Sequence, residues 1–217
     1  LLEDRGSRVF VAQSGLIGHE GQLPNHKSRY SAEASRYELA KGQDALTVRL
    51  NWSGPDGLRV TKTYTFHRND YRIDVDYAVT NAGSKPRDVY LYAQLLRSYE
   101  ETSYGLTTLP TYTGGVIYTQ EKHYEKINLE QMRDKPLVRD AEGGWVAMLQ
   151  HYFLGAWLPG AKDRIQYYSD SQAGNLLAIG YKRLTPVAVA SGGKATLATR
   201  LYAGPKEQHR LEKLDES

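Results

Sequence analysis

Asp74 and Asp76 stand two residues apart in "YRIDVDYAVT", and on a β-strand both carboxylates would point the same way. Paired carboxylates can serve glycoside chemistry. These two alternate with Tyr71, Ile73, Val75, Tyr77 and Val79, so the apolar stripe faces the core and the acids face outward. Solvated charges that discourage edge pairing are the simpler reading. "HYE" (His123–Glu125) has the H-x-E spacing of zinc deaminases, but the chain has no cysteine to complete such a site. "GGKAT" (Gly192–Thr196) superficially resembles a phosphate loop. Ala195 replaces the hydroxyl that would hold magnesium, and the flanks read as strands. The six histidines are scattered without helix-face ligand spacing, and no G-x-S-x-G nucleophile elbow occurs. No catalytic, cofactor or metal site is expected.

The elements that would position any site are strands. "RVFVAQ" (Arg8–Gln13) alternates and ends at Ser14–Gly15. "ALTVRLNW" puts Leu46, Val48, Leu50 and Trp52 on one face, before the turn signal "GPDG". "LRVTKTYTFHR" sets Thr61, Thr63 and Thr65 opposite Tyr64 and Phe66, and "RDVYLYAQLLRSY" follows the Asp-bearing strand. From Glu100 to Asp140 the pattern loosens, with short strand signals in "GVIYT" and "KHYEKI". "RIQYYS", "LLAIGYK", "TPVAVA" and "KATLATRLYAG" continue, the last two joined at Ser191–Gly193 as a hairpin. Only the tail reads as helix, with Pro205 in its first turn and Leu211 and Leu214 three apart. The expected organisation is a mainly antiparallel β-sandwich over residues 1–203 and a short α-helix over 204–217, packed on or leaving the same domain.

The most apolar stretch, "GGWVAMLQHYFLGAWLP" (Gly143–Pro159), is too short for a membrane helix, which needs about 20 apolar residues. Its glycines and closing proline also oppose a helix. With period two, Trp145, Ala147 and Leu149 share one face and Val146 and Met148 the other. Tyr152, Leu154, Ala156 and Leu158 then alternate with Phe153 and Trp157. Two strands buried on both faces, joined near Gln150–His151, are expected. Trp145, Leu149, Leu154 and Trp157 should be inaccessible.

Composition narrows the class. Of 217 residues, 40% are hydrophobic and 24% charged, as in ordinary globular proteins. Net charge is +3 with acids and bases interleaved, and the absence of a Lys/Arg block argues against nucleic acid as a partner. Seventeen tyrosines against three phenylalanines suit half-buried sheet positions. Having no cysteine, the chain has no disulfide and no thiolate nucleophile. The opening "LLEDRGSRVF" has neither an initiator Met nor a signal peptide, the pattern expected of a piece of a longer protein.

"AQSGLIG" (Ala12–Gly18), "TKTYTFHRNDYRIDVDYAVTNAGSKP" (Thr61–Pro86), the tryptophan-bearing run and "LYAGPKEQHRLEKL" (Leu201–Leu214) closely resemble the large periplasmic domain of the YidC/Oxa1/Alb3 family of membrane protein insertases. The blocks match in order over nearly the whole chain. The resemblance implies a twisted β-supersandwich similar to galactose mutarotase. It also implies a place on the periplasmic side of the bacterial inner membrane, between flanking transmembrane helices. Its partners would be SecD/SecF, the Sec translocon and nascent inner-membrane proteins, met through the parent protein. No catalytic residue carries over. Where relatives often show Arg-Gly-Asp-Tyr, this chain has Arg68–Asn69–Asp70–Tyr71, and Asn tolerates the left-handed turn.

The candidate partner surface lies in "TYTGGVIYTQEKHYEKIN" (Thr111–Asn128), at Tyr112, Val116, Tyr118, Lys122, Tyr124 and Lys126. These residues mix adaptable aromatics with charge, and an exposed sheet edge there could pair main chain with a partner. The alternative is an irregular ribbon whose tyrosines cover the sandwich. Two other functional readings stand on fold analogy alone: a module binding an extended or sugar-like ligand weakly in a cleft, and a mutarotase-like enzyme. The last would need a histidine and a carboxylate converging in a cleft.

Overall fold

The computed structural model describes residues 2–5, 8–99 and 112–206. Alternating β-branched and aromatic residues produce two sheets whose described strand pairs are all antiparallel. The seven-stranded sheet runs β1 (Glu3–Arg5), β2 (Arg8–Ile17), β7 (Arg87–Ser98), β14 (Leu176–Arg183), β13 (Arg164–Gln172) and β10 (Val138–Glu142), with β15 (Val187–Val189) also on β7. The nine-stranded sheet runs β3 (Ser31–Ala32), β4 (Ala45–Ser53), β5 (Leu58–His67), β6 (Arg72–Asn81), β16 (Lys194–Pro205), β12 (Phe153–Leu158), β11 (Trp145–Leu149), β8 (Gly114–Thr119) and β9 (His123–Asn128). This is the all-β antiparallel sandwich expected.

The main core lies between the sheets. Val75, Tyr77, Val79, Trp157, Leu197 and Leu201 from one meet Leu91, Leu95, Ile165, Tyr167, Ile179 and Tyr181 from the other. Polar atoms that enter it are bonded across the layers. The Trp157 indole donates to Gln94 O at 2.9 Å, and Tyr181 Oη donates to Thr199 Oγ1 at 2.6 Å. A buried donor left without such a partner would cost about 1–3 kcal/mol.

The tryptophan-bearing run forms β11 and β12, turned at Gln150, whose N–H donates to Phe153 O at 2.8 Å. Val146, Met148 and Trp157 face the main core. Ala147, Leu149, Leu154, Ala156 and Leu158 form a second cluster with Val116 and Tyr202 on the opposite face of the sheet. Burial on both faces is therefore as expected. Trp145 differs, being only half-buried, because β11 begins beside the outer strands β8 and β9. Tyr152 and Phe153 are exposed because they form the tip.

Four further expectations change. β2 does not stop at Ser14–Gly15 but continues to Ile17, held by β7 through Ile17↔Tyr90. The Ser191–Gly193 turn closes no hairpin. β15 pairs with β7 and β16 with β6, so the chain changes sheets there. The wholly buried Asn81 organises the crossing, donating to Val189 O at 3.0 Å and Lys85 O at 2.8 Å. A short helix that periodicity did not reveal, α1 (Leu129–Asp134), follows β9. Asn128 caps it in a reciprocal box with Gln131, and the helix buries its own Leu129 and Met132. At the tail, β16 continues through Gly204 and Pro205, the latter opposite Phe153. The rest of the expected helix lies outside the described residues. Asn69 takes φ 61°, so the turn into β6 keeps its left-handed residue as expected.

Candidate functional site

β9 ends the nine-stranded sheet, and among the described strands it pairs only with β8. Five of the six candidate residues present some surface here. Tyr124 is half exposed, with the Trp145 ring edge-on at 6.1 Å. Tyr118, its register partner and also opposite Trp145 in register, stacks on that indole at 5.7 Å with planes 10° apart. Lys122 and Lys126 are exposed, and Lys126 Nζ lies 5.0 Å from the Tyr112 ring centroid. Tyr112 is half-buried, and its hydroxyl donates to Gly115 O at 2.7 Å. Val116 is wholly buried in the second apolar cluster, so it supports the edge from beneath and cannot touch a partner. Burial holds the Tyr112 and Tyr124 hydroxyls above their ordinary pKa, so both stay neutral.

This edge is rigidly backed. Arg139 on β10 donates to Glu125 on β9 at 2.9 Å, tying the outer strands of the two sheets together. Gly144 (φ +84°) lets the chain enter β11 tightly; an added Cβ would collide with the Tyr118 carbonyl oxygen. The result is a strand edge carrying an aromatic trio (Tyr118, Trp145, Tyr124) and two exposed cations, Lys122 and Lys126. Trp145, expected in the core, belongs to this surface.

Asp74 and Asp76 are on the outer face of β6 as expected. His67 Nε2 meets Asp74 Oδ2 at 2.6 Å, with both side chains about one-third exposed. Burial and the neighbouring Asp74 raise the Asp76 carboxyl. This histidine–carboxylate contact sits on an open sheet face. Two surface depressions lie elsewhere, one of 380 Å³ beside His19 and Lys85 and one of 230 Å³ beside Arg8 and Arg97. His123 packs beside Tyr118 with φ 50° in the β8–β9 turn. Among the described residues, no group of three or more His, Asp or Glu is placed to hold a metal ion.

The sequence reading missed Lys62. It shares its face with Val60 and Tyr64 and opposes Tyr77 in register, so its ammonium enters the sandwich and is 5% exposed. Nζ donates to Ser14 O at 3.2 Å and lies 4.9 and 5.2 Å from the Tyr64 and Tyr77 ring centroids. Burial lowers its pKa to about 8. Around it, Tyr77 and Ser14 share a hydrogen bond at 2.8 Å, and His26 Nδ1 meets Tyr92 Oη at 2.6 Å. The signal was parity: a lysine at the even positions that carry Val60 and Tyr64 must face inward. On the far side of β7, Gln94 donates to Gln13 Oε1 at 2.7 Å and accepts from Tyr168 Oη at 2.8 Å, closing a polar band on itself.

Comparison with known proteins gives these features a family. The model of the YidC periplasmic domain matches residues 1–217. This chain belongs to that family. Membrane protein insertase YidC of Methylococcus capsulatus is 44% identical over 98% of this chain and 39% of its own length. The same-named protein of Alkalilimnicola ehrlichii is 40% identical over 100% of the chain and 39% of its own length. The chain thus spans about two-fifths of the length of these curated relatives. Among solved structures, the α-galactosidase of Lactobacillus brevis aligns with a TM-score of 0.58 at 11% identity, over 93% of this chain and 30% of that one. A GH36 α-galactosidase of Geobacillus stearothermophilus gives 0.57 at 10% identity, over 93% and 31%. These two likenesses concern the fold alone.

Proposed function

We propose that this chain is a non-catalytic periplasmic module of a membrane protein insertase, and that it docks Sec accessory proteins of the SecD/SecF type along the β9 edge. Anchored by transmembrane helices of the parent protein, it serves insertion and folding of nascent inner-membrane proteins by holding accessory subunits in place. The observation that carries the reading is the outermost strand β9 with Tyr124, Lys122 and Lys126 displayed on it. An unpaired strand edge offers main-chain hydrogen bonds, while rigid aromatics contribute contact area at low entropic cost. The relatives' name, membrane protein insertase, supports the parent activity. The placement of His67 and Asp74 on the outer face of β6, each about one-third exposed, does not favour a mutarotase-like reading.

Lys122→Glu and Lys126→Glu, combined with Tyr124→Ala, test this in the full-length insertase. Co-purification with SecD/SecF should fall while the thermal unfolding of this domain is unchanged. Undiminished recovery of the complex would remove the docking role. Tyr118 is a poor choice for substitution, because it supports Trp145.

A further inference from the structure

Three exposed aromatics gather where β16 ends. Tyr152 and Phe153 form the tip of the β11–β12 hairpin at 71% and 43% exposure, and Tyr71, 42% exposed, packs over Gly204 and Tyr202 on the adjoining end of β16. Chain geometry fixes their neighbourhood. Lys206 N donates to Tyr152 O at 2.8 Å, Phe153 opposes Pro205, and Ala203 N donates to Tyr71 O at 3.0 Å. The tip's own turn is closed by Gln150 N to Phe153 O. It therefore offers side chains to its surroundings with these main-chain donors already satisfied.

Charge follows the same pattern. Leu149–Leu154 and Ala203–Lys206 contain no acid and Lys206 is exposed, while the acids near this rim are Asp70, which faces Arg72 at 3.8 Å, and Glu3. The first described strand, β1, borders this hairpin, since Glu3, Arg8, Arg97 and Gln150 line one depression. Both ends of the sandwich's described chain thus reach the same rim. The relatives are membrane protein insertases two and a half times this length, and no helix among the described residues is long and apolar enough to cross a bilayer. On the membrane-anchored reading proposed above, this rim is the side of the sandwich turned to the bilayer.

We infer that the Tyr152–Phe153 tip, with Tyr71 and Lys206, rests on the lipid surface and sets how the sandwich stands on the membrane. Amphipathic aromatic rings favour the headgroup level, where an apolar body and a polar end are both accommodated. A nearby cation adds attraction to anionic lipid. The inference rests on the membrane-anchored reading above. If it failed while SecD/SecF recovery still depended on Lys122 and Lys126, the lipid contact alone would be lost.

The cysteine-free chain permits a direct test. His151→Cys carries an environment-sensitive fluorophore, and a histidine tag after Ser217 tethers the chain to vesicles of phosphatidylethanolamine, phosphatidylglycerol and a nickel-chelating lipid. The label should shift to the blue, and brominated acyl chains should quench it. Tyr152→Ser with Phe153→Ser should remove most of that shift without changing thermal unfolding. A label at Lys85→Cys, beyond the opposite end of β16, should remain in water. A label at 151 that stays in water on these vesicles overturns the inference. So does a response seen only in native membranes that contain other proteins, or one that survives the double serine substitution.

Discussion

Replacing Lys62 by Met should change how stability depends on pH. Lys62 is 5% exposed, and among the described residues its ammonium meets Ser14 O and two tyrosine faces rather than a carboxylate. Its pKa falls from 10.5 to about 8 on folding, because burial penalises the ammonium. Below pH 8 both folded and unfolded chains carry the proton, and the folded state bears the full cost. Between pH 8 and 10.5 the unfolded chain binds more protons, so stability must rise with pH. At about 1.4 kcal/mol per pH unit, the gain from pH 8 to 10 is about 2–3 kcal/mol. Above about pH 10.5 the gain from Lys62 is complete, and buried tyrosines act with the opposite sign. Tyr64, raised to about 12 by burial, stays protonated in the fold while unfolded tyrosines ionise. Urea unfolding at pH 6.5, 8, 9 and 10, followed by tryptophan emission, measures the effect. Subtracting the Lys62→Met series cancels the other groups. The native chain should gain stability across pH 8–10 relative to the variant, and at pH 7 the variant should match or exceed it, since an apolar residue replaces an uncompensated charge. Parallel curves for the two chains would refute the reasoning.

Other substitutions separate the two halves of the tryptophan-bearing run. Trp157→Ala empties a buried site and orphans Gln94 O, and should cost about 3–5 kcal/mol in chemical unfolding. Trp145→Ala, at the half-buried rim, should cost clearly less. Gly144→Ala forces a Cβ into the Tyr118 carbonyl at positive φ and should destabilise by more than about 1 kcal/mol in the same assay. Asn128→Ala removes the α1 capping box and should lower stability by about 1 kcal/mol, with Asn128→Asp recovering most of it.

The sheet framework was readable because alternation has period two and its turns carry Gly, Pro or Asn. β5 and β6, with Asn69 between them, follow directly from that rule. Pairing across sequence distance was not readable. Nothing local says that Val187–Val189 joins β7 in the other sheet, since that choice is made by Asn81 and core packing. α1 is too short for its period to register, although Asn128 and Gln131 marked its start. At the candidate edge, tyrosine content indicated surface, but the sequence could not tell Val116, buried beneath it, from Tyr124, displayed on it. Lys62 went unnoticed because charge suggested solvent, whereas strand parity demanded the interior.

The most direct test of the docking account is site-specific photocrosslinking in the full-length insertase. A photoreactive phenylalanine analogue replaces Tyr124, and separately Ala188 on β15 in the other sheet, both in cells expressing SecD and SecF. The account predicts a crosslink to one of these proteins from position 124 and none from position 188. Absence of any crosslink from 124 in a folded, membrane-inserted protein, or equal yields from both positions, would contradict it.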